Sequence, residues 1–190
     1  MPEQNATDSE ISELVAALSD PAFDDVPALS AMLARYPEDA RLHFMLGSVF
    51  AGQSRPIEAH AAMTRAVELA PDFRLARYQL GFFELTSGEA NRALSTWGPL
   101  LTAGADDYLR VFVEGMTYLI RDEFADAIGK FERGIELNTE NAPMNDDIRL
   151  LMGQISQLDQ KQGAGQNADD QQSSATSILL GQFSGNKTLN

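Results

Sequence analysis

The chain has no cysteine at all, which excludes a disulfide framework, a thiol nucleophile and a thiolate metal site. Only two histidines, His43 and His60, are available for acid–base or ligand chemistry. Basic residues are also scarce, 14 Lys and Arg against 28 Asp and Glu, a formal charge of −14. Over residues 1–40 nine acids face Arg35 alone. A field of that sign repels phosphate backbones and anionic headgroups, so neither nucleic acid nor a bare membrane surface is an expected partner. No apolar run approaches the roughly 20 residues that span a bilayer, and MPEQNATDSE has neither a basic nor an apolar leader segment. A cytoplasmic protein is the expectation. The matches to the glycosylation pattern at Asn5 and Asn186 then read as chance.

What is present is periodic. With 44% apolar residues over 190 positions the chain can bury a real core. Thr7-x-x-Glu10 is a capping box, followed by Ile11, Leu14, Val15 and Leu18 on one helical stripe. Pro27 suits a first helical turn, and Leu29, Met32, Leu33 and Tyr36 continue the period until Pro37. From Ala40 to Pro71 two amphipathic helices flank the turn Gly52-Gln53-Ser54, and this plan recurs. Gly47, Gly81 and Gly115 lie 34 residues apart, as do Ala59, Ala93 and Ala127, with Met63, Trp97 and Phe131 in step. Small residues at fixed points let helices approach, and large ones fill the gaps beside them.

These residues resemble the tetratricopeptide repeat (TPR) pattern. Leu46-Gly47, Phe50, Ala59, Met63, Ala66 and Pro71 match it closely, with His43 where tryptophan is usual. In the second copy Leu80-Gly81, Ala93 and Trp97 agree, while Glu84, Leu100 and Ala105 depart. In the third, Gly115, Tyr118, Ala127 and Phe131 agree, while Glu114 stands for leucine and Gly134 for alanine. The resemblance implies an all-α, right-handed solenoid of antiparallel helix pairs over residues 1–162. Its parts are a degenerate pair at 8–36, repeats at 38–71, 72–105 and 106–139, and a capping helix at 143–162 bearing Ile148, Leu151, Met152, Ile155 and Leu158 on one face. Residues 163–190 read as a flexible linker and an apolar tail motif, Ile178, Leu179, Leu180 and Phe183.

In such proteins the first helix of each repeat lines a concave face that receives a peptide or helix. Carried over, the partner-binding positions are Phe44, Leu75, Tyr78, Phe82, Leu85, Leu109, Phe112, Met116, Leu119 and Ile120, with Arg41 and Ser48 beside them. Open to water, this set would exceed the few hundred Å² tolerated on a soluble monomer, so a ligand, a second subunit or the chain's own tail should cover it. The same spacing is also what a wider core would produce. The face lacks the lysine, arginine and asparagine clamp with which some TPR domains hold acidic chaperone C-termini. The tail could fold back across roughly 20 Å, hook another protein by strand addition, or fray.

No catalytic set emerges, and no cofactor or metal is expected. His43 and His60 read as structural. Glu84 and Glu114 occupy normally apolar positions, with Arg77 and Arg110 as candidate ion-pair partners. Pro99, inside the expected second helix of the middle repeat, should kink it. The function expected is a non-enzymatic adaptor or scaffold binding an apolar peptide or helix; the alternative is a secretion chaperone resembling those of type III translocators. A homo-oligomer would cover the same face.

Overall fold

Local signals start and stop each helix. Thr7 Oγ1 accepts from the Glu10 amide at 3.2 Å while Glu10 Oε2 accepts from the Thr7 amide at 2.9 Å, so the capping box closes as expected and α1 runs Asp8–Leu18. Then come α2 (Asp25–Arg35), α3 (Ala40–Gly52), α4 (Pro56–Leu69), α5 (Arg74–Thr86), α6 (Ala90–Trp97), a 3₁₀ turn (Gly98–Thr102), α7 (Tyr108–Ile120), α8 (Phe124–Leu137) and α9 (Ala142–Gly163). This computed structural model describes residues 5–20 and 23–163, with side chains as far as 158. Among the described residues the protein is all-helical, without a strand, and no helix is long and apolar enough to cross a membrane.

Pro99 does more than kink its helix. It sits at the start of the 3₁₀ turn, so α6 ends at Trp97 after 8 residues, against 14 in each of its counterparts α4 and α8. A proline has no amide to donate to an α-helical ladder, and the tighter turn accommodates that loss.

The 34-residue period extends into the backbone. Ser54, Gly88 and Asp122 all take left-handed φ angles, +57°, +86° and +58°. After each, an amide reaches back over the helix end: Arg55 to the Phe50 carbonyl at 2.9 Å, Glu89 to Glu84 at 2.9 Å, Glu123 to Tyr118 at 3.0 Å. These are Schellman closures, which satisfy carbonyls that a helix end leaves orphaned. Gly52, expected in the turn, instead ends α3, and Ser54 makes the left-handed step. The connectors between pairs repeat too: the amides of Asp39, Phe73 and Asp107 donate to the carbonyls of Tyr36, Ala70 and Gly104 at 3.2, 2.9 and 3.1 Å.

The chain divides into two compact units, Met1–Arg77 and Tyr78–Asn190, with the boundary inside α5. In the first, Ala6, Leu14, Leu29, Tyr36 and Leu42 form a buried cluster, with Ile11, Met32, Leu33, Met45, Leu46 and Val49 packed around it. Asp39, 1% exposed, ties α1 to this core by accepting from the Ala6 amide at 3.0 Å and from the Arg41 guanidinium at 2.7 Å. Gly47 of α3 admits Met63 of α4: a Cβ on Gly47 would lie 2.6 Å from Met63 Cγ.

In the second unit the same contact recurs between α5 and α6 and between α7 and α8. Gly81 receives the Trp97 indole, and Gly115 receives the Phe131 ring. Both large side chains are fully buried, and Trp97 Nε1 donates to the Tyr78 carbonyl at 2.9 Å. Gly134 has a reason of its own: the Phe112 ring lies where its Cβ would be. The departure from alanine makes room for an aromatic ring on α7.

Candidate functional site

Placement of the second unit's last helix decides what the predicted face can do. Asn138, after α8, and Asn145, on α9, lock together: Asn138 Nδ2 donates to Asn145 Oδ1 at 2.9 Å, and Asn145 Nδ2 donates to the Asn138 backbone carbonyl at 2.9 Å. Asn138 Oδ1 accepts from the Asn141 amide at 3.0 Å, and Asn141 Oδ1 accepts from the Met144 amide at 3.1 Å. Both Asn138 and Asn145 are buried, so this network is committed to setting the corner. It packs α9 on α8, and Met144, Ile148 and Leu151 of α9 line one recess with Tyr78 and Phe82 of α5.

The aromatic residues predicted for a receiving face do come together. Tyr78 stacks on Phe82 with centroids 6.5 Å apart and planes 10° from parallel, and meets Phe112 at 6.3 Å. Tyr78 also stacks on Trp97 at 6.2 Å, and Tyr108 meets Phe112 edge-on at 6.0 Å. Yet the face is not open. Tyr78, Phe82, Leu85, Leu109, Phe112, Met116 and Leu119 are all buried, so the expectation that they form a broad water-facing surface is corrected. Met144, Ile148 and Leu151 of α9 line one recess with Tyr78 and Phe82, and the Phe112 ring of α7 meets Tyr78 and fills the space beside Gly134 of α8. Phe44, Leu75 and Ile120 stay half-buried, and Phe44 packs edge-on against Phe73 at 5.2 Å. Ile178, Leu179, Leu180 and Phe183 lie outside the described residues.

Between α5 and α9 lies a small recess that encloses about 20 Å³ and is lined by Tyr78, Gln79, Phe82, Met144, Asp147, Ile148 and Leu151. Asp147 is the acidic group of this lining. Burial, and then the neighbouring Asp146, push its pKa up to about 6. Burial and Asp147 together push the Tyr78 phenol above its usual range. Further along the same helix, Gln154 Oε1 is buried without a hydrogen-bond partner. The sequence carried a signal for Asp147: it sits between Met144 and Leu151 at helical spacing, so a carboxylate interrupts an apolar stripe.

Comparison with protein-family models, with curated proteins and with solved structures yields no match. The candidate site therefore stands on its own chemistry.

The remaining polar groups singled out in the sequence are engaged locally. Glu84, 3% exposed, meets Arg92 Nε at 3.1 Å and Thr96 Oγ1 at 2.6 Å. Glu114 accepts from Arg110 Nε at 2.9 Å and Lys130 Nζ at 2.6 Å. Burial works against its charge, but Lys130 and Arg110 outweigh it and hold the carboxyl below its ordinary range. Arg77 donates to the Pro71 carbonyl at 3.0 Å. Arg41, expected beside the receiving face, instead reaches Asp39, Asp8 and the Ala6 carbonyl, and Ser48 bonds back to the Phe44 carbonyl at 3.1 Å. His43 Nε2 lies 2.9 Å from the Pro37 carbonyl. Among the described residues no cluster of three or more His, Asp or Glu is placed to hold a metal ion.

Proposed function

We propose that this protein is a non-enzymatic interaction module of TPR type, an adaptor or scaffold that binds a helical or extended segment of a partner protein. The observation that supports this reading is the recurring helix-pair contact, in which Gly47, Gly81 and Gly115 each admit a large side chain of the following helix, as the resemblance implies. The repeated pairs supply rigid walls, since glycine against a large side chain at three equivalent points leaves little slack.

Partner recovery tests the reading. Phe82 and Phe112 are too buried for charge substitutions there to probe binding cleanly, because either would disrupt the core. Leu75 and Ile120 are half-buried and suited to the purpose. The full chain should bring down a defined protein from its native cells, and Leu75→Glu or Ile120→Glu should reduce recovery of that protein while leaving the melting curve close to wild type. Unchanged recovery in both folded variants would overturn the proposal.

A further inference from the structure

Two polar clasps hold α1 on the first unit. At the start of the helix, Asp39 Oδ2 accepts from the Ala6 amide at 3.0 Å, and both Asp39 oxygens accept from the Arg41 guanidinium, at 2.7 and 3.0 Å. Arg41 in turn donates to the Ala6 carbonyl and to Asp8 at 2.9 Å. One carboxylate and one guanidinium thus secure both backbone groups of Ala6. The second clasp is Glu10, which accepts from Arg35 at 3.0 Å and from the Tyr36 hydroxyl at 3.1 Å. Arg35 and Arg41 are the sole basic residues in positions 1–54, and both are engaged on α1.

The apolar attachment is slight by comparison. Of the 11 residues of α1 Leu14 alone is buried, whereas α3 and α4 bury three and four, and Val15 is 47% exposed. Ala6 and Leu14 nonetheless close the cluster of Leu29, Tyr36 and Leu42. An element with few buried apolar side chains opens at low cost, so its polar anchors decide how often it does. Asp39 is 1% exposed, and a carboxylate so buried is stable only while its cation and backbone donor stay in place. The Asp39 clasp is therefore closed or broken, with little between. Asp8, whose side chain is 99% exposed, adds little to it.

We propose that α1 is a latched cover, which opens as one piece when the Asp39–Arg41 clasp releases while α3 and α4 stay folded. Opening bares the Leu29–Tyr36–Leu42 cluster, so the clasp sets how often the first unit presents that apolar surface to water. The α3–α4 pair has a contact of its own, Met63 against Gly47, in which α1 takes no part. Once lifted, 11 residues fall short of the roughly 12–15 that an isolated helix needs in water, so α1 loses its helical hydrogen bonds in the open form. The idea is independent of any partner.

Native-state hydrogen exchange on the full chain tests it. In the wild type the α1 amides from Ile11 to Leu18 should be protected, yet exchange about tenfold or more faster than the slowest amides of α3 and α4 after correction for intrinsic rates. Asp39→Asn isolates the latch, because asparagine still caps α3 but offers Arg41 no charge. It should speed α1 exchange roughly tenfold or more and leave the slowest α3 and α4 amides within about threefold. Arg41→Gln, which breaks the clasp from the other side, should give the same pattern. Wild-type α1 amides that are unprotected, or as protected as those of α3 and α4, would overturn the proposal. So would variants in which α1 exchange is unchanged or all three helices accelerate together. The wild-type comparison decides the matter even where a variant folds poorly.

Discussion

At the scale of single residues, two positions separate what packing requires from what it tolerates. Gly134 stands in the register of Ala66, and the Phe112 ring occupies the space a methyl group would need. Phe112 is fully buried and hemmed in by Tyr78 and Tyr108, so it cannot yield cheaply. Gly134→Ala is therefore expected to destabilise the protein by about 1–3 kcal/mol in urea unfolding, although it introduces a better helix former. Adding Phe112→Leu should recover part of that loss, a coupling readable in a double-mutant cycle. Asp147 is the opposite case. Its carboxyl has a folded pKa of about 6 against an ordinary value of 3.8, so the folded state holds the proton more tightly than the unfolded chain. Stability should then rise as pH falls through 6 and gain nothing further below about 4. A rise of that size corresponds to about 3 kcal/mol, reduced to about 1–2 kcal/mol by the solvent that still reaches the group. Asp147→Asn should accordingly stabilise the protein at pH 8 by that amount and flatten its unfolding free energy between pH 4 and 6. A variant no more stable than wild type at pH 8 would show that the carboxylate is not under strain.

At the scale of elements, the turn inside each helix pair is the most regular feature of the chain. The left-handed residue is serine, glycine and aspartate in the three copies, and only glycine adopts that conformation without a Cβ penalty. Ser54→Gly should stabilise by about 0.5 kcal/mol, and Gly88→Ala, with open space around its Cβ but a φ of +86°, should destabilise by about 1 kcal/mol. Opposite signs at two equivalent positions, read by thermal unfolding, would establish that backbone conformation rather than side-chain contact governs the turn. Helices α1 to α9 were legible because their caps, prolines and apolar stripes act locally, and the glycine and large-residue ladders identified which helices touch. The end of α6 was not legible, since Gly98-Pro99 can bend a helix or terminate it and the sequence does not choose. The candidate site was legible by halves. Tyr78, Phe82 and Phe112 were placed on one face by the repeat register, whereas the recess that Tyr78 and Phe82 share with α9 depends on the Asn138–Asn145 corner, a contact set by side-chain geometry rather than by period. Asp147 left a trace in the sequence as a lone acid interrupting an apolar stripe, but that trace becomes meaningful only once the opposite wall of its recess is known.

At the scale of the whole molecule, charge is the dominant unbalanced quantity. Basic residues in close ion pairs, among them Arg35, Arg41, Arg92, Lys130 and Arg133, sit 2.6 to 3.4 Å from their carboxylates. With 28 acids and 14 bases, a large share of the acids repel one another over longer distances. Salt acts differently on the two populations. Between about 0.01 and 0.15 M ionic strength the screening length falls from roughly 30 to 8 Å, which weakens the long-range repulsion while pairs at contact distance lose much less. Most of those contacts are surface pairs that contribute about 0–1 kcal/mol each at any salt concentration. The repulsive term should win, and the melting temperature is expected to rise by about 2–4 °C over that range in NaCl, equivalent to about 1 kcal/mol. A melting temperature that stays level or falls would mean that the contact pairs, not the excess of acids, control the electrostatics. The same surplus predicts the reverse salt dependence for association with a basic partner: screening that steadies the free protein should slow its encounter with that partner, so stability and association rate should move in opposite directions over one salt series.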